Sequence, residues 1–284
     1  MKKYILYTAA IMAITVSSCR KIETDGEIQV VVVNGGGGGG GSTTGQTITL
    51  QGRINADTVL RKANSYILKG IVYMVGNHTM TIEAGTVIKG SFSGSDVAAL
   101  VITRGSKIIA PGTATDPIIF TSLSPNPQSG DWGGIVLCGK AGYNLSYNGT
   151  AGLYQVEGGI DNANGDGLAG SGDAVAPTPV ANDNSGVLQY VRIEYAGYAF
   201  QPDKEINSLT MAAVGSGTII DHIQVTYAKD DAFEWFGGSV NCSYLIAYKT
   251  QDDDFDTDNG YNGKVQFGLV LRDSLIADIS TSEA

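Results

Sequence analysis

The chain has 284 residues, with 28 acidic against 18 basic side chains, a net charge of −10 and 39 glycines. No basic patch is available to neutralise phosphates, which excludes nucleic acid as a partner, and a polyanionic ligand is disfavoured unless cations bridge it to the protein.

Residues 1–18 read as a bacterial lipoprotein signal. Lys2 and Lys3 form a short positive n-region, Tyr4 to Val16 is an apolar stretch too short to span a bilayer, and Val16-Ser17-Ser18-Cys19 matches a lipobox. Lipidated at Cys19, the mature protein is held on the outer membrane or cell surface by its N-terminal lipid, without a transmembrane helix. An ordinary secretory signal cleaved nearby is the alternative; a cysteine directly after Ser17 and Ser18 favours the lipoprotein.

Residues 19–45 are expected to be a tether. Glycine fills positions 35–41 without a break, and glycine loses the most backbone freedom on ordering. Roughly 25 residues of Gly-rich coil reach about 25–30 Å. The Val30 to Val33 run is read as part of the tether, an edge strand being the less favoured reading.

From residue 46 to 284, short runs of Tyr, Val, Ile and Thr between glycines indicate an all-β domain. Thr81 to Gly90 aligns with Val101 to Ala110 twenty residues later, Ile82 falling on Ile102 and Ile88 on Ile108. Ile223-x-Val225-x-Tyr227 recurs at Tyr244-x-Ile246-x-Tyr248, 21 residues on, and matches Val191-x-Ile193-x-Tyr195 32 residues before. A period near 20 to 22 with alternating apolar residues is that of a parallel β-helix, in which stacked coils bury an aliphatic and aromatic ladder. Glu83, Thr103, Gln224 and Thr226 are expected outside. At about 4.8 Å per rung, eight to ten coils make a rod roughly 40–50 Å long. The polar stretch near 143–182 is read as an insertion between coils.

Ile82 to Gly90, Gly130-Asp131-Trp132-Gly133-Gly134-Ile135, Asp183 to Leu188, Val191 to Gly197, Phe233-Glu234-Trp235-Phe236-Gly237-Gly238 and Gly260 to Phe267 are similar to stretches shared by a family of Bacteroidota envelope lipoproteins. That resemblance implies a right-handed, pectin-lyase-like parallel β-helix on a surface lipoprotein, without implying a reaction. It also implies a truncated C-terminus at Ala284, since a bare last coil exposes strand edges.

Within the insertion, Asn162, Asn164, Asp166-Gly167 and Asp173 at the twelfth position resemble the spacing of a calcium loop, departing from it by Asn first and Asp last. The stronger acidic feature is the run holding Asp252, Asp253, Asp254, Asp256 and Asp258, one coil after Asp230 and Asp231. Stacking brings Asp231 near Asp252, and carboxylates that close raise one another's pKa unless a cation compensates. Calcium is the cofactor expected, with no organic cofactor. Trp235 is the aromatic expected to meet a sugar, with Phe233 and Phe236 in the core. The function expected is a calcium-stabilised module binding a glycan or an envelope protein. The alternative is a calcium-assisted polysaccharide lyase or glycoside hydrolase using Asp230, Asp231, Asp252 and Asp253, with Lys249 as base. Cys138 and Cys242 are left either paired or as buried free thiols.

Overall fold

A computed structural model describes residues 31–33, 45–160, 163–201 and 204–277. The signal, Cys19, the glycine run and Asn162 lie outside the described residues.

Parallel strands stack around three faces of a right-handed β-helix, traversed in the same order in every coil. The first face carries Thr58–Leu60, Thr79–Ile82 and Lys107–Pro111, then 186–189, 219–221, 241–243 and 264–266. The second carries 47–51, 65–69, Val87–Gly90 and Ile118–Ser122, then 191–194, 223–226, 245–248 and 268–271. The third stacks Ala99–Ile102, Ile135–Cys138, Leu209–Ala212, Phe233–Phe236 and Phe255–Asp258. The eight rungs of the second face lie at the short end of the expected range, on the order of 35 Å from first to last.

Strand alternation decides what each ladder holds. On the third face Leu100, Ile135, Leu209, Phe233 and Phe255 are register partners pointing inward, as are Ile102, Leu137, Met211 and Trp235. Each of these that is fully buried, all but Phe255, contributes about 1.5–3 kcal/mol relative to exposure. Trp235 is wholly buried, which corrects its expected role at a sugar surface. In Phe233-Glu234-Trp235-Phe236 the first and third residues face in, so Phe236, expected inside, faces out.

The repeat length was legible, but its register was not. Ile82 pairs with Leu60, and Ile102 with Met74 and Leu137: the Thr81 and Val101 repeats belong to different faces that share one strand-and-turn pattern. Downstream the true step is 22, Ile223 on Leu245 and Val225 on Ala247. A one-residue slip reverses every side chain, so Ile246 is outside beside Gln224. Thr103, expected outside, is buried and donates its hydroxyl to Met74 O (2.8 Å).

Val31–Val33 forms a strand antiparallel to Thr47–Ile54, the less favoured of the two readings; pairing covers an otherwise open strand edge. The segment between Cys138 and Gly186 is the insertion. Its Val156, Ile160 and Ala169 pack on the outer third face against Val101, Val136, Cys138, Ala212 and Phe236. Cys138 lies in that outer cluster and Cys242 in the inner core, both free. Burial pushes each thiol up to about 12.

Candidate functional site

The outer ladder of the third face changes character along the axis, from Val101 and Val136 through Thr210 to Glu234 and Asp256, all register partners. Beside it runs the turn from the second face to the third, which carries Asp230-Asp231 in one coil and Asp252-Asp253 in the next. Asp253 N donates to Asp231 Oδ1 (3.0 Å), Ala232 N to Asp253 O (2.9 Å) and Ser208 N to Asp231 O (3.0 Å). The turns are thus bonded to each other through backbone, and their carboxylates converge.

Two carboxylate triads result, Asp230–Asp231–Asp252 and Asp231–Glu234–Asp256, each able to place one oxygen per residue within 4.8 Å of the others. Asp231 belongs to both. Among the described residues no ion pair reaches Asp230, Asp231, Glu234 or Asp256. Burial pushes Asp230 up to about 8, Asp231 to about 9 and Glu234 to about 11, and neighbouring carboxylates, including Glu205 and the insertion's Glu157, push the same way. Asp256 is raised for the same reasons. Asn207 Nδ2 donates to Glu234 Oε2. The hydroxyls of Ser208 and Thr210 are sealed from solvent with no hydrogen-bond partner.

This donor set suits a hard cation. Oxygens that share one calcium, each 2.3–2.6 Å from it, lie at most about 5 Å apart, which is the spacing of both triads. A divalent ion would hold these carboxylates ionised where burial alone holds them protonated.

Of the residues expected to bind metal, Asp252 and Asp256 are in the triads. Asp254 is instead paired with Arg272 (Oδ2–Nε 2.8 Å), and Asp258 accepts from Asn259 Nδ2 (2.8 Å) on the exposed end of its strand. In the calcium loop expected in the insertion, both acidic side chains are paired with arginines. Asp166 is gripped by Arg53 (2.8 and 3.2 Å) and Asp173 by Arg104 (2.7 and 2.9 Å), so guanidinium ions already answer both charges. Asn164 is exposed in that loop.

The expected catalytic set is also rearranged. Lys249 Nζ pairs with Asp273 (3.0 Å) and lies 5.5 and 5.3 Å from the Tyr227 and Tyr248 ring centres. The Asp273 carboxylate raises the Lys249 pKa further, the reverse of what a general base needs. Asp253 contributes its backbone and its carboxyl joins neither triad. Inverting hydrolysis needs carboxyl groups about 6.5–9.5 Å apart; Asp230, Asp231 and Asp252 crowd more closely than that. Sequence reasoning missed Glu234, Asn207 and Thr210. The parity of Phe233 to Phe236 carried a signal for Glu234, once Trp235 was assigned inward.

The model of the family described as pectate-lyase like beta helix domain matches residues 52–275. No curated protein and no solved structure matches the chain.

Proposed function

Since the chain belongs to the pectate-lyase-like β-helix family, we propose that it is a carbohydrate-binding lipoprotein, anchored through Cys19 to the outer membrane or cell surface, that takes a divalent cation at its acidic cluster. The family's fold supports a carbohydrate-related role. The observation that carries the cation is the pair of triads sharing Asp231, half-buried at Asp230, Asp252 and Asp256 and closed at Glu234, whose register partner Thr210 has an orphaned hydroxyl. Calcium is the ion proposed, since the ligands are hard oxygens and the compartment proposed is extracytoplasmic. In a protein this acidic, a bound cation is what lets an acidic glycan approach, by bridging its carboxylates to the cluster.

Binding is favoured over turnover because two of the three cationic side chains close in sequence to the acidic turns, Lys249 and Arg272, are engaged by carboxylates; the third, Lys229, directly precedes Asp230. One observation favours the enzyme as a second reading: Glu234, held up to about 11, keeps its proton at neutral pH, as a general acid must.

The test is a calcium titration of the full chain, followed by thermal melting, beside Asp231→Asn. Calcium should raise the melting temperature of the wild type and leave the variant unmoved; equal shifts would overturn the cation site. Polygalacturonate and neutral polysaccharides are then assayed for binding and for new reducing ends. Calcium-dependent binding without new ends supports the module. New ends lost in Glu234→Gln establish the enzyme.

A further inference from the structure

A second feature lies at the corner between the first and second faces. There a single left-handed residue turns the chain in four successive coils: Tyr190 (φ 47°), His222 (54°), Tyr244 (56°) and Phe267 (62°). Bulky residues seldom adopt this conformation, which costs about 1–3 kcal/mol each and tends to be kept where it serves a site. The four rings stack on one another, with centroids 4.3, 4.4 and 4.7 Å apart, in a ladder along the corner.

Beside that ladder is a groove of about 430 Å³. Its floor is the outward row of the second face, Arg192, Gln224, Ile246 and Leu269, register partners on successive rungs. The loop bearing Thr113 and Pro117 lies at its Arg192 end. The floor changes chemistry along its length. At the loop end Arg192 stands beside Tyr190, followed by Gln224 and His222; at the other end stand Tyr244, Phe267 and Leu269, 45 %, 57 % and 48 % exposed.

These observations choose the ligand. Rings stacked face to face turn their edges outward, so a sugar finds no ring face to lie on along the ladder, and the apolar end offers few partners for its hydroxyls. Arg192 makes no ion pair among the described residues, in a chain whose net charge is −10. The nearby Asp221 carboxylate is already bonded by His222 Nδ1 (2.9 Å), Gln189 Nε2 (3.0 Å) and Ser243 Oγ (3.1 Å). We infer that the corner groove binds an elongated amphiphilic anion, a long-chain carboxylate, with its head at Arg192 and its tail along Ile246, Leu269 and the Tyr244–Phe267 edges. This site is on another face from the acidic cluster and does not depend on it.

The test is isothermal titration of the full chain, free of detergent, with laurate and with dodecanol, beside Arg192→Gln and Ile246→Asp. Laurate should saturate a single site and bind about tenfold more tightly than dodecanol, as a charge-assisted contact to Arg192 requires. Arg192→Gln should erase that preference, and Ile246→Asp should weaken both ligands at least tenfold. Melting curves identify any variant that fails to fold, and Leu269→Gln then replaces Ile246→Asp. The inference is overturned by an absence of saturable laurate binding, by binding that both variants leave unchanged, or by displacement of laurate with a neutral oligosaccharide. It is equally overturned by a dimer that Ile246→Asp dissolves and laurate does not.

Discussion

Thr210 and Glu234 are register partners on adjacent rungs of the third face, and both point outward yet are buried. In a β-helix, outward positions are the solvent side. Here they are roofed over, so a threonine hydroxyl is left without a partner and a glutamate is stripped of water. Burial of this kind costs free energy unless something pairs with it, and the two triads gather the carboxylates that a cation would pair.

Stability should fall as pH rises when cations are removed. Asp230, Asp231 and Glu234 have folded pKa values raised to about 8, 9 and 11 from 3.8, 3.8 and 4.5. Between those limits the folded state holds protons that the unfolded chain has released. The stabilising effect is therefore fully present below the unfolded values and is lost on going up through the folded ones, by at most about 1.4 kcal/mol per pH unit for each carboxyl. Melting temperatures in chelator should decline from pH 5 to pH 9, and Asp231→Asn should flatten the slope. A melting temperature that climbs over that interval would show these carboxyls ionised in the fold.

The insertion should loosen when its arginine clamp is cut. Arg104 is almost wholly enclosed and grips Asp173 with two bonds, while Asp173 also accepts from Val175 N and Ala176 N. Breaking a fully buried pair costs about 3–5 kcal/mol. Since Asp173 is a quarter exposed, Arg104→Ala should cost about 2 kcal/mol in denaturant unfolding. Limited proteolysis should then cut first within 143–182; first cuts elsewhere would show that the clamp does not hold the insertion down.

Trp235 should matter for stability and not for any glycan. Its side chain stacks with Phe233 and Phe255 and meets Tyr261 at a tilt, inside the helix. Trp235→Ala should cost about 3–5 kcal/mol. Trp235→Phe should leave glycan affinity within twofold of wild type, and a larger loss in that folded variant would restore Trp235 to the binding surface.

Glycines should divide by what surrounds them. At Gly186 (φ 120°) an added methyl would sit 1.8 Å from Ile108 O of the neighbouring rung, whereas at Gly149 (φ 79°) it would meet nothing within 4 Å. Gly149→Ala should cost only the left-handed conformation, about 1–2 kcal/mol. Gly186→Ala must also push apart adjacent hydrogen-bonded rungs and should abolish soluble folded protein. Comparable melting temperatures for the two variants would contradict the rung spacing at Gly186.

Sequence alone carried the architecture, because a coil repeats its apolar alternation locally and its length survives, to within one residue, in the spacing of Ile223 and Tyr244. Charge balance, the acidic turns and the proximity of Asp231 to Asp252 were legible for the same reason. Register was not. It is fixed by hydrogen bonds between rungs, and three faces that share one strand-and-turn pattern give a sequence alignment nothing to tell them apart. The roof over Glu234, the arginines that claim Asp166 and Asp173, and the ladder from Tyr190 to Phe267 join residues from separate coils or from coil and insertion. Only the folded chain decides such contacts, since burial and charge pairing depend on which segments meet.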